Sequence, residues 1–172
     1  GLSDTQIPGW VVGDSVYFTG CSQTFASGDK VVHGGKGEVV GPDDTDASRV
    51  AVLFPGNQNF VNCTLSELSR APPPPLPGGW SVGDSVYYTG CSQTFDDGDK
   101  LVHGGKGEVV GPDDAVASRV ALLFPGNKGP VNCTLSNLSR APPPPLPGGW
   151  NVGEQVFYTG LSETCASGSK LV

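Results

Sequence analysis

Gly79-Trp80-Ser81-Val82-Gly83-Asp84-Ser85-Val86-Tyr87-Tyr88-Thr89-Gly90 contains the first readable strand of a seventy-residue pattern. Its opening Gly and Pro-free turn residues lead into Ser85-Val86-Tyr87-Tyr88-Thr89, a β-rich run ended by Gly90. A polar loop follows through Asp96-Asp97-Gly98-Asp99, then Lys100-Leu101-Val102 and a turn at His103-Gly104-Gly105. Gly107-Glu108-Val109-Val110 reads as a second clear strand. At Gly111-Pro112-Asp113-Asp114, Pro fixes φ and Asp bonds back to local backbone, which makes a turn. Arg119 to Phe124 is the most apolar strand; Pro125-Gly126-Asn127 turns the chain into Val131-Asn132-Cys133, and 135–138 reads as one helical turn. Five short strands in about 60 residues fit a small all-β barrel.

Working outward, the same residues stand at 9–78, and 149–172 begin them again at Gly149-Trp150. The first two copies differ at 12 of 70 positions. A fixed period makes the repeat the folding unit. The expected organisation is an N-terminal segment (1–8), barrel repeats at 9–70 and 79–140, junctions at 71–78 and 141–148, and an incomplete repeat at 149–172. Val31/Leu101, Val52/Leu122 and Phe18/Tyr88 exchange apolar or aromatic residues inside strands. Ala26/Asp96, Asp46/Val116, Asn59/Gly129 and Phe60/Pro130 change character in loops or at strand edges. Packing constrains the strands and leaves the loops free.

Gly (26) and Pro (16) are high and charged residues are few, which is a turn-rich β composition. The net charge of −7 argues against a nucleic-acid partner, since phosphate binding needs clustered Lys and Arg. No apolar run approaches the roughly 20 residues of a membrane span. There is no Met and no signal peptide, so the chain reads as a processed or excised piece of something longer.

The Gly-Asp-x-Val opening, the Gly-x-Gly-Glu-Val-Val segment and the Arg-Val-Ala-x-Leu-Phe strand resemble SH3-like barrels of the KOW/Tudor kind. Joined by Ala-Pro-Pro-Pro-Pro-Leu-Pro-Gly-Gly-Trp, the units resemble tandem modules of very large green-algal proteins. That resemblance covers the chain from Gly9 onward; it implies a fold and a repeat architecture, not a chemistry. Consecutive prolines favour polyproline II, a semi-rigid spacer. The runs Pro72, Pro73, Pro74, Pro75 and Pro142, Pro143, Pro144, Pro145 also resemble hydroxyproline-rich glycoproteins, which implies hydroxylation and O-glycosylation. A weaker resemblance makes Arg70 and the prolines an SH3 ligand docked on a neighbouring barrel. At the N-terminus, Gly1-Leu2-Ser3-Asp4-Thr5-Gln6-Ile7 replaces the proline run.

Cys21 and Cys63 lie 42 residues apart, as do Cys91 and Cys133. Barrel closure can bring each pair together, and a disulfide in each repeat would stabilise it by roughly 3–4 kcal/mol. The alternative is two reduced, buried cysteines. In the third copy Leu161 takes the first cysteine's place and Cys165 replaces Phe25 and Phe95, so its partner would lie beyond Val172 or in another chain. Asn62-Cys63-Thr64 and Asn132-Cys133-Thr134 are N-glycosylation sequons, and Asn137-Leu138-Ser139 adds a third. Sugars on Asn62 and Asn132 must project outward from their strands. Together with the cysteines and prolines they point to the secretory pathway.

Catalytic chemistry finds no support. His33 and His103 stand before Gly-Gly and read as hairpin caps, and no nucleophile–base pair can be nominated. Metal binding lacks Cys-x-x-Cys and has one His per repeat. Asp96-Asp97-Gly98-Asp99 faintly suggests a calcium loop, yet copy one has Ala26-Ser27-Gly28-Asp29. His33-Gly34-Gly35-Lys36-Gly37 opens no helix and makes a poor phosphate cradle. Trp10, Tyr17 and Phe18 suit strand packing better than a methyl-lysine cage. The expectation is therefore a non-enzymatic structural segment of an extracellular fibre or cell-surface glycoprotein, without cofactors but with covalent glycans, whose partners are neighbouring repeats or copies of itself. The alternative is a multivalent module that binds peptides or carbohydrates.

Overall fold

A computed structural model describes Ile7 and residues 9–164 and 166–171. Among these residues the structure is all-β, with antiparallel strands and short 3-10 turns but no α-helix. The first unit contains β1 (Ser15–Phe18), β2 (Gln23–Thr24), β3 (Lys30–Val31), β4 (Lys36–Pro42), β5 (Arg49–Leu53), β6 (Val61–Thr64) and β7 (Leu68–Ser69). Five of them form one sheet in the order β6-β5-β4-β1-β7, while β2 and β3 make a separate hairpin. The second unit repeats this with β8 (Ser85–Tyr88), β9 (Gln93–Thr94), β10 (Lys100–Leu101), β11 (Lys106–Pro112), β12 (Arg119–Leu123), β13 (Val131–Thr134) and β14 (Leu138–Ser139). Its sheet order is β13-β12-β11-β8-β14. Among the described residues, a 3-10 turn at Pro147–Gly149 and a hairpin of β15 (Glu163–Thr164) and β16 (Lys170–Leu171) follow.

Side-chain alternation decides which face of each strand turns inward. Val16 and Phe18 of β1, Val39 of β4, Val50 and Val52 of β5 and Cys63 of β6 are buried and meet in one core. β4 is the organiser: positions 36–38 pair with β1, and 38–42 pair with β5. Between Val39 and Gly41 the register shifts by a bulge, which bends the strand so that it serves both neighbours. Gly37 sits where β4 crosses the core. A Cβ there would come within 2.7 Å of Val52 Cγ1 and 2.9 Å of Phe54 Cδ1. The edge strands β6 and β7 are not joined by a ladder among the described residues, so each sheet is open in its hydrogen bonding.

Gly111 and Pro112, read as part of a turn, extend β11, and two further elements differ from the sequence reading. Lys100–Leu101 is not a strand of the main sheet but pairs locally with β9. The fifth sheet strand is instead Leu138–Ser139, which follows a single 3-10 turn at Leu135–Asn137 and pairs with Tyr88 and Tyr87. Two residues are too few to display period-two alternation, so tertiary pairing alone makes this strand. The strand exchanges are core exchanges as expected: Val31 and Leu101, and Val52 and Leu122, are all buried.

Overpacking provides a test of the crossing. Gly107, the counterpart of Gly37, would bring a Cβ within 2.9 Å of Phe124 Cδ1. Gly107→Ala is expected to cost about 1–3 kcal/mol in urea unfolding. Gly129→Ala, with no atom within 4 Å of its added Cβ, is expected to stay within about 0.5 kcal/mol.

Candidate functional site

Each unit is closed by an arginine from its end laid over a tryptophan from its start. The Arg70 guanidinium lies 4.3 Å from the Trp10 ring centre, donates from Nη2 to the Gly9 carbonyl at 2.6 Å, and meets Asp14 Oδ2 at 3.2 Å. Arg140 repeats this on Trp80 at 4.1 Å, with the Gly79 carbonyl at 2.8 Å and Asp84 Oδ2 at 3.2 Å. The Ser81 N–H, and then Arg140, hold the Asp84 carboxyl below its ordinary value. The ion pairs are half exposed and contribute little by themselves. Stacking on the indole adds about 0.5–2 kcal/mol. Arg70 thus serves its own unit. Phe18 is buried edge-on to Phe54, at 6.3 Å between ring centres, and so is core.

The glycine-rich and acidic motifs are also used internally. Asp29 is buried and accepts from the Gln58 N–H at 2.8 Å, Asn59 Nδ2 at 3.0 Å and the Ser27 hydroxyl at 3.1 Å. These donors, Asn59 first, lower its carboxyl from the ordinary value. Asp99 likewise accepts from the Lys128 and Gly129 N–H groups. The last acid of the acidic loop thereby ties the β2–β3 or β9–β10 hairpin to the turn after β5 or β12. Nδ1 of His33 faces the carbonyls of Thr19 and Gly20 at 3.0 and 3.1 Å, so it is the protonated ring nitrogen. His103 makes the corresponding bond to Gly90. No three His, Cys, Asp or Glu gather as metal ligands among the described residues.

The cysteines occupy two different environments. Cys63 and Cys133 are buried in the cores, Cys21 is half-buried at the corner after β1, and Cys91 is exposed. All four are free thiols, so neither the Cys21–Cys63 nor the Cys91–Cys133 bond is present in the structure. Strand alternation turns Cys63 inward opposite Val50, whereas the Cys21 thiol turns away to donate to the Pro112 carbonyl at 3.5 Å. Burial pushes the Cys63 thiol up to about 12 and that of Cys133 up to about 11. Cys165 lies outside the described residues.

Asn62 and Asn132, beside these inward cysteines, are exposed on β6 and β13, while Asn137 in the 3-10 turn is half-buried. In the first junction Pro72, Pro74 and Pro75 are exposed, Pro73 is half-buried and Leu76 is buried in the core of the second unit. Pro142, Pro144 and Pro145 are exposed and Pro143 is half-buried. Pro73 Cγ lies 3.7 Å from where a Gly34 Cβ would be, and Pro143 Cγ 3.6 Å from that of Gly104. Residues 73 and 76 are thus the inward pair, three apart, which is one turn of polyproline II. Leu76 itself has φ −64 and ψ 146.

The units also touch directly. The Ser22 N–H donates to the Val110 carbonyl at 2.7 Å, beside the Cys21–Pro112 bond. A Cβ on Gly111 would lie 3.0 Å from Cys21 Cα and 3.1 Å from its Sγ. Burial raises the Cys21 thiol above its ordinary value, with the charge of Asp114 from the second unit next in weight. This joint and the Arg–Trp closure were not read in the sequence. The only signal for the closure was that Trp, Asp and Arg keep the same spacing in both copies. The joint leaves none, because Gly41 and Gly111 stand in the same local sequence.

No protein-family model matches the chain, and no curated protein matches it. No helix among the described residues is long and apolar enough to cross a membrane.

Among the four described cysteines, alkylation is expected to modify Cys91 first and to reach Cys63 and Cys133 only on unfolding, as read by peptide mapping after graded urea. The stability carried by these two buried thiols is complete below pH 9.0, the ordinary thiol value, and is lost as pH rises toward 11 to 12. Urea unfolding across that alkaline window is expected to show a shallower loss for Cys63→Ala/Cys133→Ala than for the parent chain.

Proposed function

We propose that the chain is a structural segment of a tandem array in an extracellular fibre or cell-surface glycoprotein. In this reading each unit is a small SH3-like barrel, and stiff proline runs, hydroxylated and glycosylated, set the spacing between barrels. The strand order supports the barrel, as do the hairpin-bearing loop after the first strand, the bent β4 and the 3-10 turn before the last strand. The observation that carries the array is the joint: the corner after β1 in one unit meets the bulge of β11 in the next. Those are different faces, so the contact is heterologous, and such contacts propagate where they do not close.

The remaining parts fit a coated rod. Asn62 and Asn132 point outward, three prolines of each consecutive run of four are accessible, and the acidic balance disfavours polyanionic partners. No nucleophile or cofactor is assigned to the rod. Its mechanism is mechanical: cores hold each unit, while the joint and the proline run fix its neighbour. Mass spectrometry of the native protein is the test. Hydroxyproline with pentoses or hexoses on residues 72–75 or 142–145, and N-glycan on Asn62 or Asn132, is the expected result. Unmodified prolines and asparagines would overturn the extracellular reading.

A second reading is favoured by a cleft of about 490 Å³ in the second unit, between the β9–β10 loop and β13. Tyr88, Phe95 and Pro130 line it together with Asp97 and Arg119, a mixture suited to a peptide or sugar. Glycan or peptide array binding that Phe95→Ala abolishes would favour a multivalent binding module.

A further inference from the structure

The twelve exchanges between the two copies do not fall evenly over the seventy positions. The cleft between the β9–β10 loop and β13 is lined by thirteen residues, and five of them differ from their first-unit counterparts. These are Tyr88 for Phe18, Asp97 for Ser27, Leu101 for Val31, Pro130 for Phe60 and Asn137 for Glu67. Three more exchanges, Asp96 for Ala26, Lys128 for Gln58 and Gly129 for Asn59, stand beside them in the same two loops. Loop freedom does not account for the pattern. The turns His-Gly-Gly-Lys at 33–36 and 103–106, and Phe-Pro-Gly-Asn at 54–57 and 124–127, are unchanged.

The exchanges alter what the cleft can offer. In the first unit the corresponding side chains are spent on the fold: the Ser27 hydroxyl and Asn59 Nδ2 both donate to Asp29 Oδ2, at 3.1 and 3.0 Å. In the second unit the backbone N–H groups of Lys128 and Gly129 suffice to hold Asp99. Gly129 leaves open the space that the Asn59 side chain takes, with nothing within 4 Å of an added Cβ. Asp97 Oδ1 accepts from the Asp99 N–H at 3.0 Å, and Lys128 Nζ donates to the Asp97 carbonyl at 2.6 Å. That fixes the carboxylate while Oδ2 makes no hydrogen bond among the described residues. Asn137 brings an amide, which both donates and accepts, where Glu67 brings a carboxylate that only accepts. Its place is set by its carbonyl, which accepts from the Thr89 N–H at 2.8 Å. Tyr88 adds a hydroxyl, which donates to the Cys91 carbonyl at 3.2 Å, where Phe18 has a bare ring.

We infer that the cleft of the second unit binds a neutral sugar, and that these exchanges, Asp97 and Asn137 foremost, set its selectivity and leave the first unit without the site. The inference rests on the binding-module reading and narrows it to one ligand class and one unit. A sugar ring carries hydroxyls that donate and accept, which the Asp97 carboxylate and the Asn137 amide answer. Its apolar C–H face is answered by the Phe95 ring and the rigid Pro130. The exchanges favour this class over a peptide. They take away the Phe60 ring, an anchor for an apolar side chain, and add a hydroxyl, an amide and a fixed carboxylate.

The test uses the full chain, isotope-labelled and made without glycosylation, since Asn132 and Asn137 line the cleft and head sequons. D-glucose, D-galactose, D-xylose and L-arabinose are titrated in turn while the backbone amide resonances are followed. At least one sugar is expected to give saturable shifts at residues 95–101 and 129–137, with none at 25–31 and 59–67. Asp97→Ser and Asn137→Glu, which restore the first unit's residues, are each expected to weaken binding at least about tenfold. Phe18→Tyr, Ser27→Asp, Asn59→Gly, Phe60→Pro and Glu67→Asn placed together in the first unit are expected to double the sugar bound per chain. Amide resonances away from the cleft report that each variant is folded.

Equal shifts in both units would overturn the assignment, as would Asp97→Ser and Asn137→Glu chains that bind like the parent. So would a folded first-unit transplant that takes up no second sugar. Silence toward all four sugars, with saturable shifts at the same amides from a mixture of random hexapeptides, would overturn the sugar and leave the binding-module reading standing. Silence toward both would remove that reading as well.

Discussion

Each unit depends on one strand being held from both sides. β1 lies between β4 and β7, and β8 between β11 and β14, so the start of a unit is paired with its middle and with its end. Among the described residues, 155–158 of the third segment pair with neither a middle nor an end strand. Gln155-Val156-Phe157-Tyr158 has the same polar–apolar–aromatic pattern as Ser85-Val86-Tyr87-Tyr88, yet it forms no strand, and Phe157 is 95% exposed. The hairpin of β15 and β16 still forms, because its two arms are local to each other. Long-range pairing must first meet the entropy of loop closure, so a strand that lacks its distant partners has nothing to offset that cost. The Arg–Trp contact belongs to the same closure. Trp80 is buried under Arg140, whereas Trp150, with no arginine over it among the described residues, is half exposed.

The strands that alternate over four or more residues are legible from the amino-acid pattern alone. Val39 of β4 and Val50 and Val52 of β5 turn inward by alternation, whereas Gly41 and Pro42, read as part of a turn, extend β4 instead. What escaped the sequence was short or distant. Leu68–Ser69 is a strand only because Phe18 and Tyr17 lie beside it. Asp29 and Asp99 are buried acids satisfied by the N–H groups of a turn 29 and 30 residues away, and no local pattern marks that. The cysteines depend on direction as well as on distance. Closure does bring the ends of a unit together, but the parity of β6 sends Cys63 inward while the corner sends Cys21 outward to the next unit. Proximity in topology did not settle direction.

Near-identity of sequence also conceals a difference in environment. Val40 and Val110 are the same residue in the same strand, and only one of them is covered. A repeat has a single sequence but two faces, and the burial of each face depends on whether a neighbour is present. For this reason the glycine of the bulge looked like an ordinary turn residue in both copies. Its steric purpose becomes visible only at 111, where the corner of the other unit comes within contact distance.

The direct contact changes what a proline run can do. A stiff spacer alone fixes a distance while leaving rotation about its own axis free. In this chain the prolines run alongside the joint: Pro73 leans on the turn at Gly34, and Leu76, three residues later, enters the core of the next unit. The corner of Cys21 and Ser22 meets the same unit at a separate place, on Val110 and Pro112. Two attachments at different points remove the torsion that either one would permit. The inward residues of the run have a period of three, and Pro72, Pro74 and Pro75 are exposed. On the proposed reading, a rod of such units resists bending and twisting through paired constraints at every joint. Stiffness then comes from geometry repeated along the chain rather than from the strength of any one bond.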